Sequence, residues 1–238
     1  MKHGLALVLG MTLCWGGAAA QGVQLSWMSC FGTPGASFDH AFDCNPSDGR
    51  VYPLCGTFEL SARASGIVTL QGLVDFRFRT ADVPAFWHFE TDGCNASGIV
   101  LSAARPPGCE TYQAGWCDST GTGCVPTLVS YVAGYGGPDR ARLLLTLSRP
   151  QDQPRDLEAA PAKHFAFRLD FLMDRGTSCA GCNSMARITW SELDAYSAGG
   201  LVRTVLATDV DSWADAYAND LPVPARATTW GRLKALYR

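Results

Sequence analysis

The sequence predicts an all-β protein, a single antiparallel β-sandwich of the immunoglobulin-like or jelly-roll-like kind, with loops held by disulfides. Apolar and polar residues alternate with a period of two in several short stretches. Clusters of Gly, Pro, Ser and Asp separate these stretches, and no segment between them repeats apolar residues at the period of a long helix. Short strands in succession without crossover helices favour two packed antiparallel sheets over a parallel βαβ sheet.

Two stretches carry the alternation most clearly. Every second side chain is apolar in residues 73–80 and again in residues 165–171, so each is predicted to be a strand with one buried face. Apolar runs at 128–135 and 141–148 flank a Gly-Gly-Pro-Asp turn at 136–139, which predicts a β-hairpin. Further strands are expected at 22–28, 56–61, 65–71, 84–90, 98–102, 185–195 and 201–207. The residues expected in the core are Phe76, Phe78, Val132, Leu143, Leu145, Phe165, Phe167 and Ile188.

The first 20 residues predict a secretory signal peptide. Lys2 precedes an apolar run from Leu5 to Leu13, and small residues at 18–20 provide a cleavage site after Ala20. That run is shorter than the roughly 20 apolar residues that a spanning helix needs, so no membrane span is expected. We therefore expect a secreted, periplasmic or cell-surface protein. The predicted divisions are a signal peptide at 1–20, a β-sandwich domain at 21–207, and an acidic turn with a basic tail at 208–238.

The stretch 209–220, DVDSWADAYAND, opens like a calcium-binding loop. Trp213 stands where such a loop needs an oxygen ligand, Ala214 stands where it needs glycine, and no Glu closes it. A solvated acidic turn is therefore favoured over a calcium site, and no cofactor is expected.

The last twelve residues, ATTWGRLKALYR, predict a short C-terminal helix. They follow Pro222 and Pro224, and Trp230, Leu233 and Leu236 recur at helical spacing on a stretch that is basic and amphipathic. Two roles stay open for this tail. It either docks on the domain by its apolar side or acts as a sorting or anchoring signal read by a partner during export.

Nine cysteines follow the predicted signal peptide, and an exported chain meets oxidising surroundings, so disulfides are expected. Sequence proximity predicts pairs that each close a short loop rich in Gly, Pro, Ser or Asp. An odd number of cysteines leaves one thiol over. The predicted pairs are Cys30–Cys44, Cys94–Cys109, Cys117–Cys124 and Cys179–Cys182, and the remaining thiol is Cys55.

The Cys179-Ala-Gly-Cys182 motif is compatible with a structural staple, a redox pair or part of a metal site. A redox CxxC lies where a strand enters a helix, because the helix dipole stabilises the attacking thiolate. Here strand patterns stand on both sides of the motif. A zinc site would need a second ligand pair, whereas the nearest histidine is His164 and the other cysteines have different spacings. The staple is favoured, and a thiol–disulfide oxidoreductase using residues 179–182 stays as the alternative.

Composition bears on the class of function. The net charge is −3 and no basic run lies along the chain, which argues against nucleic acid or an anionic membrane as partner. No serine lies in a G-x-S-x-G motif, so a serine hydrolase has no local signature. The sequence favours an exported, non-enzymatic binding or envelope-associated module, with a carbohydrate or a cell-surface protein as the expected ligand class. The aromatic residues considered for ligand contact are Trp87, Trp116, Tyr131 and Tyr135.

Several motifs together resemble a group of uncharacterised secreted bacterial proteins that contain cysteines. The motifs are SWMSC at 26–30, FDCN at 42–45, PAFWHF at 84–89, YVAGYGGPDRARLL at 131–144, SCAGC at 178–182 and TWGRLKALYR at 229–238. The resemblance spans most of the mature chain and implies export, but it implies no activity. Relative to that group, Cys55 and the Cys117/Cys124 pair are additions. In strand plan the chain also resembles cohesin-type sandwiches.

Overall fold

The computed structural model describes residues 21–45, 49–113, 117 and 123–219, and β-strands make up nearly all of its regular structure. A single turn of 3-10 helix, Ala85–Trp87, is the exception within those ranges. The strands are β1 Gly22–Trp27, β2 Asp39–His40, β3 Val51–Glu59, β4 Ala64–Phe78, β5 Ile99–Ser102, β6 Val125–Ala133, β7 Arg140–Ser148, β8 Arg155–Leu157, β9 Lys163–Leu172, β10 Ala186–Ser197, β11 Gly200–Leu206 and β12 Asp215–Ala218.

The strands form two sheets packed face to face, which confirms the predicted sandwich. The smaller sheet has the order β1-β3-β9-β5. The larger sheet has the order β2-β12-β10-β4-β7-β6, with β11 also paired to β10 and β8 to β4. Among the described strands β2 and β12 run parallel, and the other pairs are antiparallel.

β4 is the central strand of the larger sheet and joins two stretches that the sequence predicted as separate strands. Phe78 opposes Ala186 of β10, and Arg77 opposes Arg140 of β7, so the register is fixed on both sides. Successive side chains of a strand point to opposite faces. Phe76 and Phe78 are therefore buried between the sheets, while Arg77 faces solvent.

Aromatic rings fill the space between the sheets. Trp87 contacts Phe42, Phe78 and Phe171, with ring centroids 5.7, 5.3 and 5.8 Å away. Aromatic side chains bury about 150–250 Å² each, which at roughly 25 cal/mol per Å² contributes several kcal/mol per ring. The indole N–H groups are also satisfied: Trp27 donates to the Tyr217 carbonyl, Trp87 to that of Gly181 and Trp190 to that of Glu192.

Most of the predicted core residues lie in this core, and Val132 does not. The residues found there are Phe76, Phe78, Leu143, Leu145, Phe167 and Ile188, while Phe165 packs in a separate small cluster. Val132 is 47% exposed. A register shift between Leu128 and Ser130 leaves Val129 as an extra residue, and this bulge exchanges the two faces of the strand beyond it. Tyr131 turns inward as a result, and Val132 turns outward opposite Arg142.

The predicted strand at 84–90 is wrong. Pro84 begins the 3-10 turn, and a second turn follows in which the Gly93 amide donates to the Glu90 carbonyl. The apolar residues Phe86, Trp87 and Phe89 that suggested a strand are buried, but they enter the core from a loop. Burial alone therefore produced the apolar pattern, without strand pairing.

The sandwich extends past its predicted end at residue 207. β12 pairs with β10, and Thr189 opposes Asp215. Arg187 donates to the Asp215 carboxylate through Nε at 3.1 Å and Nη2 at 2.9 Å, and the Thr189 hydroxyl donates at 2.6 Å. These donors allow a carboxylate within the predicted acidic turn to lie buried in a strand. A short strand between β7 and β9, β8, also joins the larger sheet by pairing with β4.

The predicted signal peptide and the predicted C-terminal helix lie outside the described residues. The last described residue, Asn219, donates its side-chain amide to the carbonyls of Cys182 and Ser184 at 2.9 and 3.1 Å. Within the described ranges, no helix has both the length and the apolar character needed to cross a membrane.

A substitution at Gly56 tests how closely β3 packs against β9. A Cβ atom there would lie 2.5 Å from two atoms of the Phe167 ring, which itself meets Trp190 at 4.8 Å. We expect Gly56→Ala to destabilise the fold by about 1–3 kcal/mol through overpacking. Thermal unfolding would show a loss of about 2–4 °C for each kcal/mol.

Gly199→Ala is the matched control, because a Cβ atom there would find its nearest neighbour, the Ser197 hydroxyl, at 3.6 Å. Its melting temperature should stay unchanged. Equal melting temperatures for Gly56→Ala and the unmodified chain would contradict the described packing of β3 on Phe167.

Candidate functional site

The disulfides join loops that are distant in sequence, and three of the four predicted pairings are wrong. The bonds are Cys30–Cys109, Cys44–Cys182, Cys94–Cys179 and Cys117–Cys124. Only the last pair is the predicted one. The first three span 79, 138 and 85 residues, because the sandwich brings loops from different strands together. Proximity in sequence was therefore a poor guide to proximity in the fold.

The two cysteines of the CxxC motif cross-link their loop to two different loops, an arrangement that we call the double staple. Cys182 bonds to Cys44 in the loop before β3, and Cys179 bonds to Cys94 in the loop before β5. The loop backbone adds a further tie, because the Phe86 amide donates to the carbonyl of Ala180 at 2.9 Å. Gly181 has a positive φ of 89°, and a Cβ atom at this position would collide with Pro84. Both observations explain why the motif has glycine there.

This geometry does not support the redox alternative. A CxxC oxidoreductase needs its two cysteines to bond reversibly to each other beside a helix N-terminus. Here Cys179 and Cys182 bond to different loops, and both are at most 2% exposed. The strand β10 follows the motif, where a redox enzyme of that type would have a helix.

Cys55 is the free cysteine of the described chain, and it is fully buried on β3. Burial raises the pKa of its thiol to about 12, so the reactive thiolate is scarce at neutral pH. The side chain belongs to the small cluster that includes the Cys30–Cys109 disulfide, Tyr112 and Phe165. Cys55 acts as a packing residue in this setting.

A basic surface lies on the outer side of the larger sheet. Arg77 of β4 directly opposes Arg187 of β10 on one side and Arg140 of β7 on the other. Arg142 lies two residues further along β7, and Arg79 follows β4. We call this surface the arginine face, defined by Arg77, Arg79, Arg140, Arg142 and Arg187.

Four acidic residues accompany the arginine face. Arg142 donates two hydrogen bonds, of 2.6 and 2.9 Å, to the Asp75 carboxylate, and Arg187 likewise donates two to the Asp215 carboxylate. Asp139 lies 3.7 Å from Arg77 and 3.9 Å from Arg140. Glu192 adds a fourth negative charge within electrostatic range of Arg142. Five guanidinium groups therefore face four carboxylates, and the surface keeps an excess of positive charge on a chain whose net charge is −3.

Two adjoining hollows open on this face. One has a volume of about 290 Å³ and is lined by Asp75, Arg140 and Tyr135 among others, and the second, of about 590 Å³, is lined by Arg79, Met185 and Tyr217 among others. Arg77 and Arg187 line both hollows. The side chains of Arg77, Arg140 and Arg187 are 62%, 47% and 50% exposed, so their guanidinium groups are accessible to a ligand on this face.

The aromatic residues considered for ligand contact have different locations. Tyr135 lies on the arginine face, where the Arg142 guanidinium stacks 4.1 Å from its ring centroid and also donates to its hydroxyl. Tyr131 points between the sheets and donates its hydroxyl to the Trp87 carbonyl. Trp87 is fully buried, so it presents no surface to a ligand. Trp116 lies outside the described residues.

The arginine face could not be predicted from the sequence, because strand pairing assembles it. Its residues come from three separate strands, and none of those strands has a basic run. One signal was present: the polar positions that alternate with Phe76 and Phe78 are Asp75, Arg77 and Arg79. Within the described ranges no three His, Cys, Asp or Glu side chains lie close enough together to hold a metal ion.

Comparison with known proteins identifies no family. No protein-family model matches the chain, and no curated protein sequence does. Among solved structures, the chain is similar to the second type II cohesin module from the cellulosomal adaptor ScaA scaffoldin of Acetivibrio cellulolyticus. The match covers 85% of this chain and 98% of that module, with 9% sequence identity and a TM-score of 0.36. We draw no functional conclusion from a likeness of this size.

Disulfide mapping tests the double staple directly. The chain of residues 21–238 is digested without reduction and analysed by mass spectrometry. We expect the peptide containing Cys179 and Cys182 to be linked to two others, one with Cys44 and one with Cys94. An internal Cys179–Cys182 bond would contradict the structure. Before digestion, Cys55 of the folded chain should react with a thiol reagent only after unfolding, because it is buried.

Proposed function

We propose that the chain is an exported, non-enzymatic binding module whose arginine face binds an acidic polysaccharide through its carboxylate or sulfate groups. The observation that carries the proposal is the row formed by Arg187, Arg77 and Arg140 on three adjacent strands. Like charges directly opposite each other destabilise a sheet, and the two neighbouring carboxylates, Asp215 and Asp139, offset the repulsion among three guanidinium groups only in part. An anionic ligand would offset this repulsion.

The geometry favours a polymer with regularly spaced charges. Neighbouring strands lie about 4.8 Å apart, so the three arginines offer guanidinium groups at repeated intervals across the sheet. Guanidinium groups bind carboxylate and sulfate oxygens through paired hydrogen bonds. Tyr135 lines one hollow and Tyr217 the other, and aromatic rings of this kind pack against the apolar faces of sugars. These features together support an acidic polysaccharide over an acidic polypeptide.

The three histidines within the described ranges support a non-enzymatic role, because each of them has a structural contact. His164 is buried, stacks on Phe58 and bonds through Nε2 to the Glu158 carbonyl at 2.8 Å. His88 bonds to Glu90, and His40 packs against Tyr52 with ring centroids 4.6 Å apart. Export is supported by four disulfides, which persist in oxidising compartments.

Charge removal on the arginine face tests the proposal. Binding of the chain to polygalacturonate and dextran sulfate is measured by calorimetry, with neutral dextran and poly-glutamate for comparison. We expect Arg77→Gln combined with Arg140→Gln to weaken binding to the acidic polysaccharides about tenfold or more, which corresponds to about 1.4 kcal/mol. Binding should also weaken as salt rises, because the arginines are exposed and their charges are screened.

The matched control combines Arg63→Gln with Arg149→Gln. These arginines adjoin the same two strands, β4 and β7, at the ends remote from the arginine face, and the charge removed is the same. The control should bind like the unmodified chain. Equal losses in both double variants, or equal binding to neutral dextran, would contradict a site on the arginine face. Tighter binding to poly-glutamate than to either polysaccharide would contradict the ligand class.

A further inference from the structure

A second surface, separate from the arginine face, lies where the free edges of the two sheets approach each other. β6 ends the larger sheet and β5 ends the smaller one. In the part of the chain that the structure describes, β6 pairs only with β7, and β5 only with β9. The outer backbone groups of β6 therefore have no strand partner there, and such an edge is a template for pairing with another chain.

The side chains of β6 do little to block such pairing. Exposed edge strands are commonly protected by charged residues, but the sequence of β6, VPTLVSYVA, contains none. Pro126 and the bulge at Val129 interrupt its first half only. Val129 and Val132 are 51% and 47% exposed, so from its midpoint onward the strand presents apolar side chains beside an open backbone edge.

A cleft of about 410 Å³ runs beside this edge, with both apolar and polar side chains in its lining. Leu128, Tyr131 and Leu143 line one side, while Phe89 and Ile99 line the other. Phe89 and Tyr131 meet edge to face at 5.2 Å. The Cys94–Cys179 disulfide anchors the loop that carries Phe89, so this wall of the cleft is fixed.

Glu90 gives the cleft an unsatisfied polar group. Its Oε1 atom bonds to His88, but its Oε2 atom is buried and has no hydrogen-bond partner among the described residues. Glu90 lines the cleft, and its charge adds to burial in raising the pKa of Tyr131. A buried carboxylate oxygen without a donor is costly, so a donor brought by a ligand would be favoured.

We propose that the free edge of β6 and the adjoining cleft bind an extended segment of a partner polypeptide, which pairs with β6 as an added strand. An apolar side chain of the segment enters the cleft, and a neighbouring Lys or Arg donates to Glu90. Main-chain hydrogen bonds give affinity in this mode of recognition, and alternate side chains give specificity. A second copy of β6 fits less well, because it has no basic residue to meet Glu90.

A peptide library tests the proposal without knowledge of the natural partner. The chain of residues 21–238 is used to select from random 12-residue peptides displayed on phage, and the enriched peptides are synthesised. We expect alternating apolar residues with one Lys or Arg at a constant position. Peptide binding should slow amide hydrogen exchange in residues 125–133.

Two variants of the edge strands locate the site. Val129→Lys on β6 should weaken peptide binding tenfold or more, because it places a charge at the cleft. Val202→Lys is the matched control, since Val202 is an exposed valine on β11 and should have no effect. Melting temperatures of both variants show that they fold.

Glu90→Gln tests the charged contact. Replacing the basic residue of a selected peptide by Ala should weaken binding to the unmodified chain but not to Glu90→Gln. The proposal is overturned if no peptides are enriched, if exchange in 125–133 is unchanged by a bound peptide, or if Val202→Lys weakens binding as much as Val129→Lys. A concentration-dependent dimer that protects β6 in the free chain would assign the edge to a second copy instead, which also overturns it.

Discussion

The register of β4 between β7 and β10 is the constraint on which both the core and the arginine face depend. Because side chains alternate, the register that buries Phe76 and Phe78 also sends Arg77 to the solvent side. A slip of one residue would exchange the two sets and put a guanidinium group into an aromatic core. Burial of each ring contributes several kcal/mol, whereas an unfavourable cross-strand pair costs roughly 0.2–1 kcal/mol. The core therefore sets the register, and the opposed arginines follow from it.

The disulfides provide the second constraint, at the loops. The loop between β9 and β10 holds two other loops through Cys179 and Cys182, and the end of β12 joins them through Asn219. These bonds close long stretches of chain, which restricts the unfolded ensemble most when the closed loop is long. They also place Phe89 and Glu90 firmly opposite β6. A motif whose spacing suggested electron transfer thus serves to position one wall of a cleft.

The sequence could predict features that depend on residues close together in the chain, but not features that depend on residues that folding brings together. The alternation in residues 73–80 and 165–171 predicted strands correctly, because burial of one face leaves a period of two in the sequence. The Val129 bulge left no such signature, so Val132 was placed on the wrong face. Disulfide partners and opposed arginines are set by which strands become neighbours in space. Cys44 and Cys182 lie 138 residues apart, and no local pattern connects them.

NMR of arginine side chains can show whether strand register builds a ligand-binding surface from Arg77, Arg79, Arg140 and Arg187. The Nε–Hε signals of the labelled chain are followed while polygalacturonate is added. The signals of these four arginines should shift together and saturate. Those of Arg63 and Arg168, which lie away from the arginine face, should stay in place. Shifts confined to Arg63, Arg168 or other arginines outside the arginine face, with these four signals unchanged, would contradict a binding surface there.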